Sequence, residues 1–181
     1  MSGATVYIVL FRGVGGKTQL PTARLRAALG EAGFENVSTY INSGNAVLRS
    51  SLSRAETAKR IAELVDREFG FTKDIHLVTR AEWAKIIAQN PFEGIAKVPK
   101  FLHAAVLGGV PEKAKIESIE SVAAEGEGFI VIGKVAYLHT PSGLGTSKMA
   151  EKFDRTIGVP NTARNWNTVL KLAALADAAQ E

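Results

Sequence analysis

The sequence contains no cysteine among its 181 residues. A chain without cysteine has no disulfide framework, no thiolate ligands for zinc and no cysteine nucleophile. The sequence also lacks any run approaching the roughly 18 consecutive apolar residues that a membrane-spanning helix needs. Residues 1–11 have neither the charged beginning nor the long apolar stretch of a signal peptide. These absences predict a cytoplasmic protein with no membrane partner.

Neither positive nor negative residues are concentrated in a charged tail. There is no block of five like charges, and the 22 lysines and arginines stand against 18 aspartates and glutamates, a net charge of +4. That excess lies wholly in residues 1–90, which hold most of the arginines. With 46% hydrophobic and 22% charged residues, the composition excludes a disordered chain and a collagen-like fibre. A globular protein of one full domain, or of two small ones, remains.

A repeated order of secondary structure can be followed along the chain. In the first half, apolar periodicity and turn residues predict a strand at 5–11 and a helix at 22–32. A hairpin at 38–41 and 46–49, a helix at 53–68 and a strand at 74–79 follow. After a short helix at 81–89, the second half repeats this order. It has a strand at 101–107, a helix at 111–123, a hairpin at 129–132 and 135–139, and a helix at 147–157, and it ends in a helix at 163–179.

A β-α-β-β-α-β order is typical of the ferredoxin-like arrangement, in which helices cover one face of an antiparallel sheet. We therefore predict an α+β fold of two ferredoxin-like subdomains, residues 1–90 and 91–181, packed as one compact unit. The second copy is predicted to lack its last strand and to end in helices. The strand at 5–11 does not alternate between apolar and polar residues, so we expect the second face of the sheet to be covered as well.

The first candidate site is a glycine-rich loop after the first strand, which reads RGVGGK. Gly13, Gly15 and Gly16 would let backbone N–H groups approach an anion, and Arg12 and Lys17 would add positive charge. The loop matches neither the Walker pattern nor GxGxxG. A flexible turn carrying two solvated cations is therefore the alternative interpretation.

The second candidate is the turn Asn42-Ser43-Gly44-Asn45. Asparagine and glycine are also what a tight hairpin requires, so a structural role is the alternative. In a split β-α-β unit the first two strands run parallel with the third between them. The turn is therefore expected beside the glycine-rich loop, at the same end of the sheet. Ser43 does not lie in a GxSxG elbow, which argues against a serine hydrolase.

The third candidate is the segment TARNWNT near the end of the chain. Trp166 belongs to an apolar stripe and is predicted to be buried, whereas Arg164, Asn165 and Asn167 lie on the other face of a helix. Asparagine is an indifferent helix former, so its repeated use indicates hydrogen bonding. The partner is either a ligand or another part of the fold.

No pattern of metal ligands or cofactor contacts is present. His76, His103 and His139 fall in predicted strands without metal-ligand spacing, and we interpret them as structural. The sequence accordingly predicts no metal site and no cofactor.

Together, the three segments resemble a bacterial family known as domain of unknown function 1697. The resemblance covers nearly the whole chain, and its most specific pieces are RG-x-GGK, Y-I-x-SGN and T-x-RNWNT, in that order. The loop is shorter than the common RGINVGGK, and Asn42 stands where glutamine is frequent. The resemblance implies an α+β fold of two ferredoxin-like subdomains and supplies no activity, cofactor or catalytic residue. It gives a reason to treat as one constellation Arg12, Gly13, Lys17, Tyr40, Ser43, Gly44, Asn45, Arg164, Asn165, Trp166, Asn167 and Thr168.

Four functional hypotheses follow from these residues. We favour a module that binds a small molecule or anion, such as a phosphorylated metabolite, with charge from Arg12, Lys17 and Arg164. The alternatives are a nucleic-acid-binding protein, an enzyme acting through Ser43 or the arginines, and a structural role only for the motifs. The RNA-recognition signature and an activated nucleophile are both absent from the sequence. The sequence leaves open the ligand, the oligomeric state and whether any reaction is catalysed.

Overall fold

The computed structural model describes residues 3–42 and 44–181 and divides into two units. The first unit comprises the chain up to Ala84 together with residues 171–181, and the second comprises residues 85–170. Both boundaries fall within helices, so each of these helices contributes to both units. The domain division predicted at residue 90 stays a prediction.

The first unit follows the predicted order of elements. These are β1 (Thr5–Phe11), α1 (Thr22–Glu31), β2 (Glu35–Thr39), β3 (Asn45–Ser50), α2 (Arg54–Phe69), β4 (Ile75–Thr79) and the beginning of α3 (Arg80–Ala88). Its four strands form one antiparallel sheet in the order β2-β3-β1-β4. β1 is therefore a central strand, with Leu10 opposite Asn45 on one side and Phe11 opposite Ile75 on the other. This arrangement is the ferredoxin-like one.

Both faces of β1 are buried. Tyr7, Val9 and Phe11 belong to an apolar cluster that includes residues of α1 and α2. The intervening residues Ile8 and Leu10 are also completely buried, at 0% exposure. A strand that is covered on both faces has no polar face, which explains why β1 reads as a continuous apolar run.

The ends of α2 are set by local sequence. The Ser53 N–H donates to the Glu56 carboxylate at 3.1 Å, and the Glu56 N–H donates to Ser53 Oγ at 3.3 Å, which together form a capping box. Hydrogen bonds from Ser53 hold the pKa of Glu56 below its ordinary value. Gly70 ends the helix in the left-handed conformation, with φ +73°. Both ends agree with the predicted helix.

The second unit repeats the topology. Its elements are β5 (Leu102–Leu107), α4 (Lys113–Glu120), β6 (Gly128–Ile132), β7 (Val135–His139), α5 (Lys148–Thr156), β8 (Asn161–Asn165) and the beginning of α6 (Trp166–Ala178). The sheet order is β6-β7-β5-β8, again antiparallel throughout. Its core contains Leu107, Leu138 and the ring pair of Phe129 and Phe153, whose centroids are 5.7 Å apart. The predicted α+β class with two ferredoxin-like arrangements is confirmed.

The prediction that the second copy lacks its last strand is wrong. β8 pairs antiparallel with β5, with Ala105 opposite Ala163 and His103 opposite Asn165. The helix predicted at 163–179 begins only at Trp166. Asparagine and alanine are depleted in strands, so the sequence of β8 carries no strand signal. Its conformation is decided by pairing with β5, which local sequence does not reveal.

Two predicted boundaries also shift. The strand predicted at 38–41 is β2, which begins earlier and contains a register irregularity between Glu35 and Ser38, with Asn36 left-handed at φ +48°. Such an irregularity interrupts the period-2 pattern on which the prediction depends. The helix predicted at 111–123 is shorter in the structure, because α4 spans only Lys113–Glu120.

The helices of the described chain are short. α2 has 16 residues, whereas crossing a bilayer takes about 20 predominantly apolar ones. Within residues 3–42 and 44–181, no helix combines the length and apolarity needed to cross a membrane.

Candidate functional site

The glycine-rich loop (residues 12–18, here called the glycine loop) folds back on itself. The Gly15 N–H donates to the Thr18 carbonyl at 3.2 Å, and the Thr18 N–H donates to the Gly15 carbonyl at 3.0 Å. The Thr18 hydroxyl adds a bond to the same Gly15 carbonyl at 3.1 Å. Gly13 and Gly16 adopt positive φ values of 66° and 54°, which glycine reaches at little cost. The loop is therefore a closed tight turn with Gly16 and Lys17 exposed at its tip.

Cationic side chains surround the base of this turn. Arg12 is partly buried, and its backbone N–H donates to the Asp74 carbonyl at 3.0 Å. The Lys73 ammonium donates to the Gly13 carbonyl and lies 5.7 Å from the centre of the Phe71 ring. Lys73 therefore lies next to Gly13, the residue that follows Arg12. The pairing of β1 with β4 is the signal that would have identified Lys73, because the residues just before β4 must lie beside the end of β1.

Gly44 joins the glycine loop to the hairpin turn (residues 40–45). The Phe11 N–H donates to the Gly44 carbonyl at 2.9 Å. A Cβ at Gly44 would lie 2.8 Å from the Cβ of Phe11 and 2.7 Å from Cγ2 of Val14, and the backbone there is left-handed with φ +81°. Only glycine therefore fits where the two loops meet. Ser43, the neighbouring candidate residue, lies outside the described residues.

Asn45 closes the hairpin turn. Its side-chain amide donates to the Tyr40 carbonyl at 3.1 Å, while the Tyr40 N–H donates to the Asn45 carbonyl at 3.1 Å. Asn45 is 1% exposed and begins β3. Between these two residues Ile41 has a φ of +46°, which is unusual for a β-branched side chain, and is 47% exposed. The turn is therefore held in a strained backbone conformation that presents an apolar side chain to solvent.

The third candidate segment belongs to the second unit. Asn165 caps α6, since its side-chain oxygen accepts the Thr168 N–H at 3.0 Å. The Arg164 guanidinium donates to Thr162 Oγ1 at 2.7 Å and to the Ala163 carbonyl at 2.8 Å. Burial lowers the pKa of Arg164 to about 10, which leaves this side chain charged at neutral pH. The observed bonds give Asn165 and Arg164 contacts within the fold.

The other two residues of this segment differ in exposure. Trp166 is buried, at 8% exposure, in agreement with its place in the predicted apolar stripe. Asn167 is exposed. The candidate residues therefore fall into two groups: the glycine loop and hairpin turn meet in the first unit, and the third segment lies in the second unit.

The histidines do not form a metal centre in the described residues. Among residues 3–42 and 44–181 no group of three His, Cys, Asp or Glu side chains is arranged to hold a metal ion. His103 has a buried Nδ1 without a hydrogen-bond partner in this part of the chain, and burial lowers its pKa. His139 is buried, with its ring 5.7 Å from that of Phe92. Both are strand residues of the second sheet.

Comparison with known proteins identifies the family. The family model described as "Protein of unknown function (DUF1697)" matches residues 4–137, which is well over half of the chain. The solved structure of the conserved bacterial protein SP0830 from Streptococcus pneumoniae is similar, with a TM-score of 0.73 and 22% sequence identity over 96% of this chain and 99% of that one. At that identity the likeness concerns the fold. No curated protein matches the chain. The chain therefore belongs to the family of unknown function DUF1697.

Proposed function

We propose that this protein binds a small anionic ligand, such as a phosphorylated metabolite, where the glycine loop meets the hairpin turn. The observation that carries the proposal is that the tight turn bearing Arg12 and Lys17 is also contacted by Lys73, whose ammonium donates to the Gly13 carbonyl. One carboxylate, that of Asp74, accompanies these three cations in the sequence around the turn. An excess of positive charge at a glycine-rich turn is the chemistry that favours an anion.

Lys17 and Arg12 have different roles in this proposal. Lys17, exposed at the tip, supplies a mobile point charge, whereas the partly buried Arg12 supplies a planar fork that suits phosphate or carboxylate oxygens. Gly13, Gly15 and Gly16 permit the tight turn in which the backbone can approach a ligand closely. Gly44 keeps the hairpin turn against the loop. Ser43, which lies outside the described residues, stays a predicted contact of the ligand.

A structural role is supported for the asparagines. Asn45 already donates its amide within the hairpin turn, and Asn165 already accepts the N–H of Thr168. We therefore propose that these two residues position the surrounding backbone. Arg164 and Asn167 stay in the proposal as possible contacts of a ligand in the second unit. The cytoplasmic location expected from the sequence is also part of the proposal, since that compartment holds phosphorylated metabolites.

The experiment is a titration of the ¹⁵N-labelled protein with pyrophosphate, followed by the amide resonances of Gly13, Gly15 and Gly16. The double variant R12Q/K17Q is expected to bind about tenfold more weakly or worse, because charge-assisted hydrogen bonds are lost. The matched control is R26Q/K97Q, which removes two positive charges from exposed positions that belong to neither loop and should leave the affinity unchanged.

Equal affinities for R12Q/K17Q and R26Q/K97Q would contradict the proposal. RNA or DNA that binds more tightly than pyrophosphate, with an affinity that falls steeply with salt, would instead favour the nucleic-acid alternative. The comparison of the two double variants tests the anion proposal, and the comparison of ligands at different salt concentrations tests the nucleic-acid alternative.

A further inference from the structure

A cavity of about 370 Å³ lies at the opposite end of β1 from the glycine loop. Thr5 at the start of β1, Arg49 near the end of β3, and Thr79 and Arg80 at the junction of β4 and α3 line it, with Gln180 on another side. All of these residues belong to the first unit. The volume is in the range of pockets that hold small molecules, about 300–1,000 Å³.

The lining is cationic and polar. The residues that line the cavity, all within the described chain, include two arginines, two threonines and a glutamine and no aspartate or glutamate. Val6 and Ala81 add small apolar surfaces. A pocket with two guanidinium groups, hydroxyl donors and no carboxylate in its wall selects for an oxyanion.

The sheet register explains why the two arginines meet. Arg49 lies opposite Val6 on one side of β1, and Thr79 lies opposite Tyr7 on the other side. Arg80 follows Thr79 directly as the first residue of α3, so one arginine belongs to β3 and the other comes directly after β4, the two strands that flank β1. Two strand spacings place their backbones about 10 Å apart. Two long side chains can therefore reach one ligand that lies over β1.

The guanidinium groups retain donors for a ligand. Arg80 uses its Nε to bond Asp177 at 2.6 Å, which orients the rest of the guanidinium. Arg49 is partly buried, and its guanidinium makes no hydrogen bond or ion pair with residues 3–42 and 44–181. Glu35 lies opposite Arg49 in the sheet register but is exposed. A partly buried arginine that has no partner among the described residues, at the wall of a cavity, is a donor available to bind an anion.

The start of α3 adds backbone donors. Thr79 caps this helix, accepting the Glu82 N–H on its hydroxyl at 3.2 Å, while its own N–H donates to the Glu82 carboxylate at 2.9 Å. The Ala81 N–H lies in the first turn, where a helix offers no acceptor of its own, and Ala81 lines the cavity. Arg54 pairs with the Glu82 carboxylate at 2.7 Å. The helix end therefore adds a polar N–H group to the two arginines.

From this geometry we infer a second binding site, distinct from the glycine loop, for a small organic oxyanion held between Arg49 and Arg80. The ligand places a carboxylate or phosphate group between the two guanidinium groups and over the first turn of α3. The volume exceeds what an inorganic anion fills, so the ligand carries an organic part against Val6 and Ala81.

The test is a titration of the labelled full chain with inorganic phosphate, pyrophosphate and succinate, followed by the Ala81 amide and the Arg49 Nε–H resonances. At least one probe is expected to shift both resonances, and the preferred probe distinguishes a phosphate from a carboxylate ligand. R49Q should weaken that binding by about tenfold or more, because two charge-assisted hydrogen bonds are lost. The matched control R26Q removes the same charge from an exposed position of α1 and should bind like the unmodified protein.

A second variant, A81E, keeps the inference testable if R49Q fails to fold. A81E places a carboxylate in the first turn of α3, where an acidic residue favours the helix, and directs that carboxylate into the cavity. It should fold normally and abolish the shift of the Arg49 resonance by added anions. R12Q/K17Q should leave this binding unchanged, so failure of the glycine-loop proposal and failure of this inference are separately visible. Unchanged binding in both R49Q and A81E, or no shift with any probe, would overturn the inference.

Discussion

The two units close the same end of their sheets with matching backbone hydrogen bonds and with different side chains. In the first unit the Phe11 N–H donates to the Gly44 carbonyl at 2.9 Å, and the Arg12 N–H donates to Asp74 at 3.0 Å. In the second unit the Leu107 N–H donates to the Lys134 carbonyl at 2.9 Å, and the Gly108 N–H donates to the Pro160 carbonyl at 2.7 Å. The strand order and the bonding frame are the same in both.

The difference in side chains between the two units shows which residues the ferredoxin-like fold requires at these positions and which it does not. Where the first unit has Arg12 and Lys73, the second has Gly108 and Val159 at the corresponding positions. The second unit places one cation, Lys134, at its turn. The ferredoxin-like frame therefore closes without an arginine directly after its first strand and without a lysine two residues before its last one. The strand order alone therefore does not explain why arginine and lysine stand at these positions of the first unit.

The largest expected effect in this comparison is on the two hairpin glycines. Gly44→Ala forces a Cβ against Phe11 and Val14 at a left-handed position, and should lower the free energy of unfolding by about 2–5 kcal/mol. Gly133→Ala, with φ +59° and no atom within 4 Å of the added Cβ, should cost only about 1–2 kcal/mol. Urea unfolding followed by circular dichroism measures both values. Equal losses would show that the two turns are held equally loosely.

A smaller effect is expected where a buried amide in one unit corresponds to an apolar residue in the other. Asn45 lies opposite Leu10, and Val135 lies opposite Val106 at the same register position. Asn45→Val removes the bond to the Tyr40 carbonyl and should destabilise the protein by about 1–3 kcal/mol. The exposed Asn167→Val is the control and should change stability by less than about 0.5 kcal/mol. A neutral Asn45→Val would mean that the hairpin turn does not need its side-chain amide.

The two final strands run directly into capped helices, and their caps should contribute similarly. Thr79→Ala at the start of α3 and Asn165→Ala at the start of α6 should each cost about 1 kcal/mol in urea unfolding. Asn165→Asp keeps an oxygen that accepts the Thr168 N–H, so it should restore most of the loss. If the aspartate variant is as unstable as the alanine variant, Asn165 acts through its amide group and the capping interpretation fails.

The smallest effect concerns His103, whose position in β5 corresponds to Tyr7 in β1. Burial lowers the pKa of His103, so the folded state binds this proton less readily than the unfolded state. The stability that neutral His103 permits is therefore present above the unfolded pKa of about 6.5 and declines as pH falls below it. Stability measured at pH 5 and pH 7.5 should differ less in His103→Leu than in the unmodified protein. The same pH dependence in both would assign it to other groups.

The order of elements could be predicted because apolar periodicity and turn residues are local signals. β1, α2 and β7 each have such a signal, and the capping box and final glycine fixed the bounds of α2. β8 has none, since asparagine and alanine disfavour strands and only the adjacent strand β5 makes it one. A strand defined by its partner cannot be read from its own residues.

Part of the candidate site could be predicted for a topological reason. The meeting of the glycine loop and the hairpin turn follows from strand order, before any side chain is placed. Lys73 and the steric requirement at Gly44 depend on distances through space, which sequence spacing does not contain. Arg49 and Arg80 appear in the sequence as ordinary surface charges, and only the register of β1 brings them to one cavity.

The last residues of the chain are part of the first unit, and this has a consequence for the order of events during synthesis. Leu172, Ala176 and Ala179 are buried, and Ala179 accepts a hydrogen bond from Asn36 at 2.9 Å. A ribosome delivers residues 3–84 first and must complete the entire second unit before residues 171–181 emerge. Until then the first unit lacks part of its own packing. Full stabilisation of the first unit therefore waits for completion of the second, and truncation after residue 170 would leave the first unit incomplete although all four of its strands are present.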